Sequence, residues 1–272
     1  MVPPLVFAFL AWFMGTAVVV WLDSRPRDTF RTSHRVAGVA AMLAIAAIAI
    51  IADDTSVFGA YAGFAAAIVV WGWHEMGFLM GFVAGPRRLP CPPEAEGWAR
   101  FKLATATVIH HEIALAATLL MLVVLTWGQP NQTGPLTFAL MWGMRLSAKF
   151  NLYLGVPNLS DEVFPAHLEY LKSYFRKRAC NILYPFSLLG GVAVTAWAWS
   201  VSEAAPFANG TWATGALLAG FAALGVIEHL FLVLPIKDAA IWQWAVSSAK
   251  SVKLNSSVTP APVKVPNRVI ID

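Results

Sequence analysis

Residues 57–84 read VFGAYAGFAAAIVVWGWHEMGFLMGFVA, a run long enough to cross a bilayer and broken only by the ionisable pair His74-Glu75. A span through a hydrocarbon core about 30 Å thick needs roughly 20 mainly apolar residues. A charged side chain near the centre of such a span costs roughly 2.5–3.5 kcal/mol on insertion scales, so it seldom stands there without a partner or a task. This stretch therefore predicts a buried transmembrane helix with a polar site inside it.

The same pattern recurs along the chain. His110-His111-Glu112, then Arg145 and Lys149, then Glu228-His229 each interrupt a further apolar run. Composition agrees: 58% of residues are hydrophobic and 12% charged, where an ordinary soluble domain carries about 25% charged residues. The expected fold is all-α, a polytopic transmembrane bundle of about seven spans near 4–22, 36–52, 57–84, 104–127, 135–154, 182–200 and 212–235. The second run is short, and Arg145 and Lys149 weaken the fifth.

The connecting segments sort by charge. Arg25, Arg27, Arg31 and Arg35 precede the second span; Arg87, Arg88, Arg100 and Lys102 precede the fourth. Lys172, Arg176, Lys177 and Arg178 precede the sixth, and the tail holds Lys237, Lys250, Lys253, Lys264 and Arg268. The alternate connections contain no Lys or Arg. The positive-inside rule then predicts N-terminus out and C-terminus in, which requires an odd number of spans. A net charge of +4 is accounted for by these loops and argues no nucleic-acid partner; the expected partner of the surface is the lipid bilayer. Cys91 and Cys180 lie in basic loops, match no zinc spacing and suggest no structural disulfide. No cleavable leader is expected, since the first apolar run follows Met-Val-Pro-Pro without a basic segment.

Orientation brings the polar interruptions to one depth, roughly 8–15 Å from the inner boundary at 1.5 Å per residue. Between the fifth and sixth spans, Ser160 to Asp161-Glu162 reads as a helix start. Leu168, Leu171 and Phe175 then share a face, predicting an interfacial helix near 160–178 on the inner leaflet. The bundle is expected to occupy 1–240, with 241–272 as a cytoplasmic tail of Ser, Val, Pro and Lys without periodicity.

The polar layer admits three readings. In the first, Glu75, Glu112 and Glu228 pair with Arg145, Lys149 and the histidines and clamp the helices together, aided by Gly77, Gly81 and Gly85 and by Gly215, Gly220 and Gly225. In the second, Glu75, His110, His111, Glu112, Glu228 and His229 ligate a metal such as non-haem iron. The pairs are adjacent rather than Glu-x-x-His, so only one residue of each pair need face a centre, and Arg145 and Lys149 would have to turn away. In the third, a neutral imidazole is the axial ligand of a tetrapyrrole. His110 follows Ala106 and His229 follows Gly225 by one turn, leaving room for a flat ring. Retinal is poorly supported, because the last span has no interior lysine. The tryptophans mostly sit near span ends, as an interfacial belt would.

The segments WGWHEMGFLMGFVAGPRRLPCP, RFKLATATVIHHEIAL, SAKFNLYLGVPNLSDEVFPAHLEYLKSYFRKR and GVIEHLFLVLP together resemble the PuhE family of photosynthetic complex assembly proteins in purple bacteria. The resemblance runs from the first span to about Pro235. It implies an inner-membrane protein of phototrophic bacteria, cytoplasmic or intracytoplasmic, that supports reaction-centre assembly and adjusts bacteriochlorophyll production. Its implied partners are reaction-centre subunits or bacteriochlorophyll biosynthesis enzymes, and its implied ligand is bacteriochlorophyll or a precursor. The competing class is a membrane metal-dependent oxidoreductase acting on a tetrapyrrole or isoprenoid intermediate, with the six His and Glu residues as ligands.

Overall fold

A computed structural model describes residues 3–159 and 165–234. Seven long helices fill the seven expected stretches: α1 Pro4–Asp23, α2 Phe30–Ile50, α3 Val57–Leu79, α4 Gly97–Leu125, α5 Thr133–Leu154, α6 Leu183–Ala204 and α7 Gly210–Phe231. Among the described residues there is no strand. Five of the seven, α1 to α4 and α7, are long and apolar enough to cross a membrane; α5 and α6 are as long but more polar. The outside of the bundle is apolar, with Val36, Val39 and Leu43 on α2, Leu120 and Val124 on α4, and Phe186 and Leu189 on α6 all exposed. Such a surface suits lipid, where water would penalise it.

Local chemistry sets the ends. The Ser56 hydroxyl accepts from the Gly59 amide to start α3, and the Asn209 side chain accepts from the Trp212 amide to start α7. Asn181 accepts from the amides of Leu183 and Tyr184 at the start of α6 and donates to the Gly155 carbonyl beyond α5. The two ends of the bundle are knit separately. At one, Asn131 donates to the carbonyls of Ala52 and Ile51, and Gly210 to that of Thr55. At the other, the basic end, loops 80–96 and 155–182 bond to each other, to the turn before α2, to α4 and to the end of α7.

α3 is the central helix. It meets α1 where Gly15 faces Ile68, α2 where His34 stacks on Trp73, and α5 where Gly63 faces the Gly134 amide. Phe64 packs edge-on against Phe221 of α7, 5.5 Å between centroids. The main core joins Phe64, Ala67, Val70, Leu115, Leu122, Phe138 and Leu217, all buried. α6 leans on α7 at Gly215, where any Cβ would press into the Ser202 amide and the Ala198 carbonyl. Gly143 on α5 and Gly190 on α6 instead face open space. Gly190→Ala should therefore stabilise the bundle by up to about 1 kcal/mol, since alanine loses less chain entropy in a helix. Gly215→Ala should destabilise it, and thermal unfolding in one detergent would show opposite shifts.

Two expectations change at the basic end. The third helix stops at Leu79 rather than running to 84, because Gly81 adopts φ +80° and the amides of Phe82 and Val83 both turn back to the Gly77 carbonyl. Only Gly77 of that glycine series lies in the helix, and its open face is filled by His34. Gly85 instead lies in a loop pressed against α4: a Cβ there would strike the Ala106 carbonyl. Flanking amide bonds pin the loop, Arg87 N–H to Ala106 O at 3.1 Å and His111 N–H to Ala84 O at 2.9 Å.

The second change concerns the expected interfacial helix. Ser160, Asp161 and Glu162 lie outside the described residues, and Ala166–Tyr174 is a 3₁₀ segment. Leu168, Leu171 and Tyr174 recur every three residues, the period of that helix, and all three are buried, with Leu168 and Leu171 against Phe78 and Ala84. Arg87 donates to the Tyr174 hydroxyl at 2.7 Å, Arg100 to its carbonyl, and Cys91 N–H to Ser173 Oγ at 2.8 Å. The segment is thus folded onto protein through its apolar side. The expected tail at 241–272 lies outside the described residues.

Candidate functional site

α3, α4 and α5 bring five ionisable side chains together in the lower half of the bundle. Arg145 Nη2 lies 3.4 Å from Glu75 Oε2, and His111 Nε2 lies 3.8 Å from Glu75 Oε1. Lys149 Nζ lies 2.5 Å from Glu112 Oε1, while Trp142 Nε1 donates to Glu112 Oε2 at 2.9 Å. Trp142 and Lys149 are seven residues apart on α5, so both present one face to the same carboxylate. The Lys149 ammonium also stands 5.4 Å from the centre of the Phe78 ring, a cation–π contact. His74 is held by Thr118, Nε2 to Oγ1 at 2.9 Å, and lies edge-on to Phe138. With neutral histidines, two carboxylates balance two cations, which is what a low-dielectric interior requires.

Satisfaction within this group is incomplete. Both ring nitrogens of His111 and Oε1 of Glu75 are buried without a hydrogen-bond partner, and His111 is fully enclosed between Phe78, His74 and Glu75. Buried polar atoms left this way cost about 1–3 kcal/mol each. The cluster is also open on one side. On α5, Phe138, Met141 and Arg145 share a stripe; the first two are buried, yet the Arg145 side chain is 44% exposed. On α7, Leu217, Phe221 and Glu228 share a stripe with the same change, from buried to exposed. The inward faces of two helices become accessible near the basic end.

The remaining candidates go elsewhere. His110 is exposed on the outer face of α4 beside Ile113, with no hydrogen bond or ion pair to a described residue. His229 is buried against α5. Its Nδ1 lies 2.8 Å from the Gly225 carbonyl and its Nε2 2.9 Å from Ser147 Oγ, so the ring donates through Nδ1 and accepts through Nε2. Beside it Asn151 bonds to Ser187 and accepts from Asn181. Asn158 ties the following loop to the Phe231 carbonyl.

These positions test the two cofactor readings. The six expected metal ligands do not converge. Glu75 and His111 meet, Glu112 is held by Lys149 and Trp142, His110 points outward, and His229 is saturated. Among the described residues no group of three His, Cys, Asp or Glu side chains is placed to hold a metal ion. Two cations in the middle of the set oppose a third, so these residues do not fit a metal centre. For a tetrapyrrole, His229 does not fit either: both nitrogens are engaged, and Met144 occupies the space beside Gly225. His110 fits, with a free imidazole on an exposed face and Ala106 one turn before it.

Trp142, Thr118, Ser147 and Asn151 were not expected in the layer. Trp142 reads as a belt residue, and Thr118 and Ser147 carry no charge. Asn151, in KFNLYLG, is the one with a usable signal, as an amide inside an apolar helix.

The chain matches the model of a family described as a protein of unknown function, DUF3623, over residues 1–253, and it belongs to that family. It is 36% identical over 259 residues, 94% of each chain, to a Rhodobacter capsulatus protein named as an uncharacterized 30.4 kDa protein in the puhA 5' region. No solved structure matches.

Proposed function

From this membership we propose that the protein is a PuhE-type assembly factor of the bacterial inner membrane, N-terminus out, supporting reaction-centre assembly and adjusting bacteriochlorophyll production. The observation that carries the reading is the relative encoded in the puhA photosynthesis gene region, alike along nearly its whole length. The geometry supports a division of labour within it. The layer of Glu75, Glu112, Arg145 and Lys149 locks α3, α4 and α5 together. His110, one face away, is exposed and would hold the central metal of a tetrapyrrole through its imidazole. A bacteriochlorophyll or a precursor held there would bring the light-absorbing macrocycle and its central metal. The chain's own part is to orient the imidazole and to keep the ring's neighbourhood apolar through Ala106, Ile113 and Ala117 on the same side of α4.

The test is absorption spectroscopy on protein purified in mild detergent from phototrophic membranes. The expected result is a near-infrared or Soret band in stoichiometric amount, lost in His110→Ala at unchanged protein yield. A spectrum of aromatic side chains alone, identical in wild type and His110→Ala, would sink the pigment reading. Unchanged reaction-centre and bacteriochlorophyll levels in a deletion strain would sink the assembly reading itself. His229→Ala should act differently: it strips partners from Ser147 and the Gly225 carbonyl, and should lower the yield without a specific spectral loss.

A further inference from the structure

Away from the buried layer, at the basic end, three separate segments bring hydrogen-bond donors to one place without a counter-ion among the described residues. Arg27, from the turn before α2, lies with Nη2 3.4 Å from His167 Nδ1. A guanidinium can only donate, so this contact puts the imidazole proton on Nε2. That Nε2 is buried and has only a poorly aligned contact with the Leu79 carbonyl, and the Tyr170 hydroxyl one turn along the 3₁₀ segment is buried with no hydrogen-bond partner. Arg88, from the loop after α3, donates to the Gly81 carbonyl at 3.1 Å, and Gly81 itself lies against the His167 ring.

Neither Arg27 nor Arg88 forms an ion pair with a described residue; the nearest acid on the 3₁₀ segment, Glu169, faces Lys172. Burial pushes the His167 pKa down, a bond to the Leu79 carbonyl pulls it back up, and Arg27 and Arg88 add smaller downward effects. Among the described residues the group is rich in donors and poor in acceptors. A positive field beside an imidazole and a buried phenol hydroxyl without a hydrogen-bond partner is the electrostatic shape of an anion receptor.

We infer that Arg27, Arg88, His167 and Tyr170 form a binding site for a phosphate group. The two exposed guanidinium groups form its mouth, and the imidazole Nε2–H and the tyrosine O–H stand behind them. Forked guanidinium groups match phosphate oxygens in pairs, and the two inner donors supply the bonds that single arginines on a membrane surface lack. Exposed Phe82 and Leu89 flank the loop that carries Arg88, so the phosphate would sit at an apolar boundary. A phospholipid headgroup and a free phosphate share this chemistry. The site is independent of the pigment reading.

The experiment uses the full chain, delipidated in mild detergent. It is titrated with short-chain phosphatidylglycerol and, separately, with inorganic phosphate, and bound molecules are counted by native mass spectrometry. Saturable binding of one molecule per chain is expected, weakened at least about tenfold by R27Q/R88Q, since each bond to a charged group contributes roughly that factor. Tyr170→Phe, which removes one oxygen and leaves the packing, should weaken it measurably. Arg35→Gln, an exposed arginine of the same end outside the group, should leave it unchanged. Binding of phosphatidylglycerol but not phosphate identifies a lipid headgroup, and the reverse a soluble phosphate; either supports the site. Absence of saturable binding overturns it, as would an Arg35→Gln loss equal to that of R27Q/R88Q.

Discussion

Lys149→Met should remove most of the folded protein from the membrane. The substitution leaves the Glu112 carboxylate facing only the Trp142 indole, inside a helix interface with little access to water. Breaking a buried ion pair from one side costs about 3–5 kcal/mol, because the surviving charge stays buried without its partner. That is a large part of the 5–15 kcal/mol that holds an ordinary domain together. Glu112→Gln/Lys149→Met removes both charges and should recover much of the loss. The check is the monodisperse peak of each variant in fluorescence-detected size exclusion. A double variant no better than Lys149→Met would show that the pair does not clamp α4 to α5. The parallel pair is looser, since Arg145 is partly exposed and 3.4 Å from Glu75. Arg145→Gln should cost clearly less than Lys149→Met.

Gly85→Leu should be of similar severity for a different reason. The residue touches the α4 backbone at Ala106 and Thr107, where no flexible side chain can yield. Even the first added carbon forces loop 80–96 off the helix. The bonds from Arg87 to Ala106 and from His111 to Ala84 would go with it, followed by the cover over Phe78 and Leu168. Overpacking a core costs typically 1–3 kcal/mol, and more where backbone must move. Limited proteolysis within 86–96, slow in the wild type and fast in the variant, would report the detachment. Equal rates would mean that the loop does not depend on this contact.

Much of the architecture was legible because the membrane imposes a simple code. Apolar runs give the helices, and the seven expected stretches overlap the seven observed ones with ends a few residues different. The ionic part of the layer was legible too, since unpaired charge is costly in such runs: Glu75 meets Arg145 and Glu112 meets Lys149. What the residues did not disclose is which side of each helix a side chain leaves from. Adjacent residues point about 100° apart. His110 and His111 therefore part company, one to the outside and one to the interior, although they look equivalent in the sequence. The neutral partners were hidden because Thr118, Ser147 and Trp142 have commoner uses in a span. The loop after α3 was hidden because its glycines also suit helix packing, and only the left-handed turn at Gly81 ends the helix there. The 3₁₀ segment was read with the wrong period, since Leu168, Leu171 and Phe175 satisfy a 3.6-residue repeat nearly as well as Leu168, Leu171 and Tyr174 satisfy three.

The seating of α1 against α7, where Leu5 and Ala8 lie over Gly220, has a consequence for biogenesis. Among the described helices α1 is made before all the others and completes its packing only after α7 has emerged. Until then α1 and the exposed flank of α3 must wait in lipid or beside an insertion chaperone. A chain arrested before α7 would have its charged layer of α3, α4 and α5 in place yet leave the α7-facing sides of α1 and α3 uncovered.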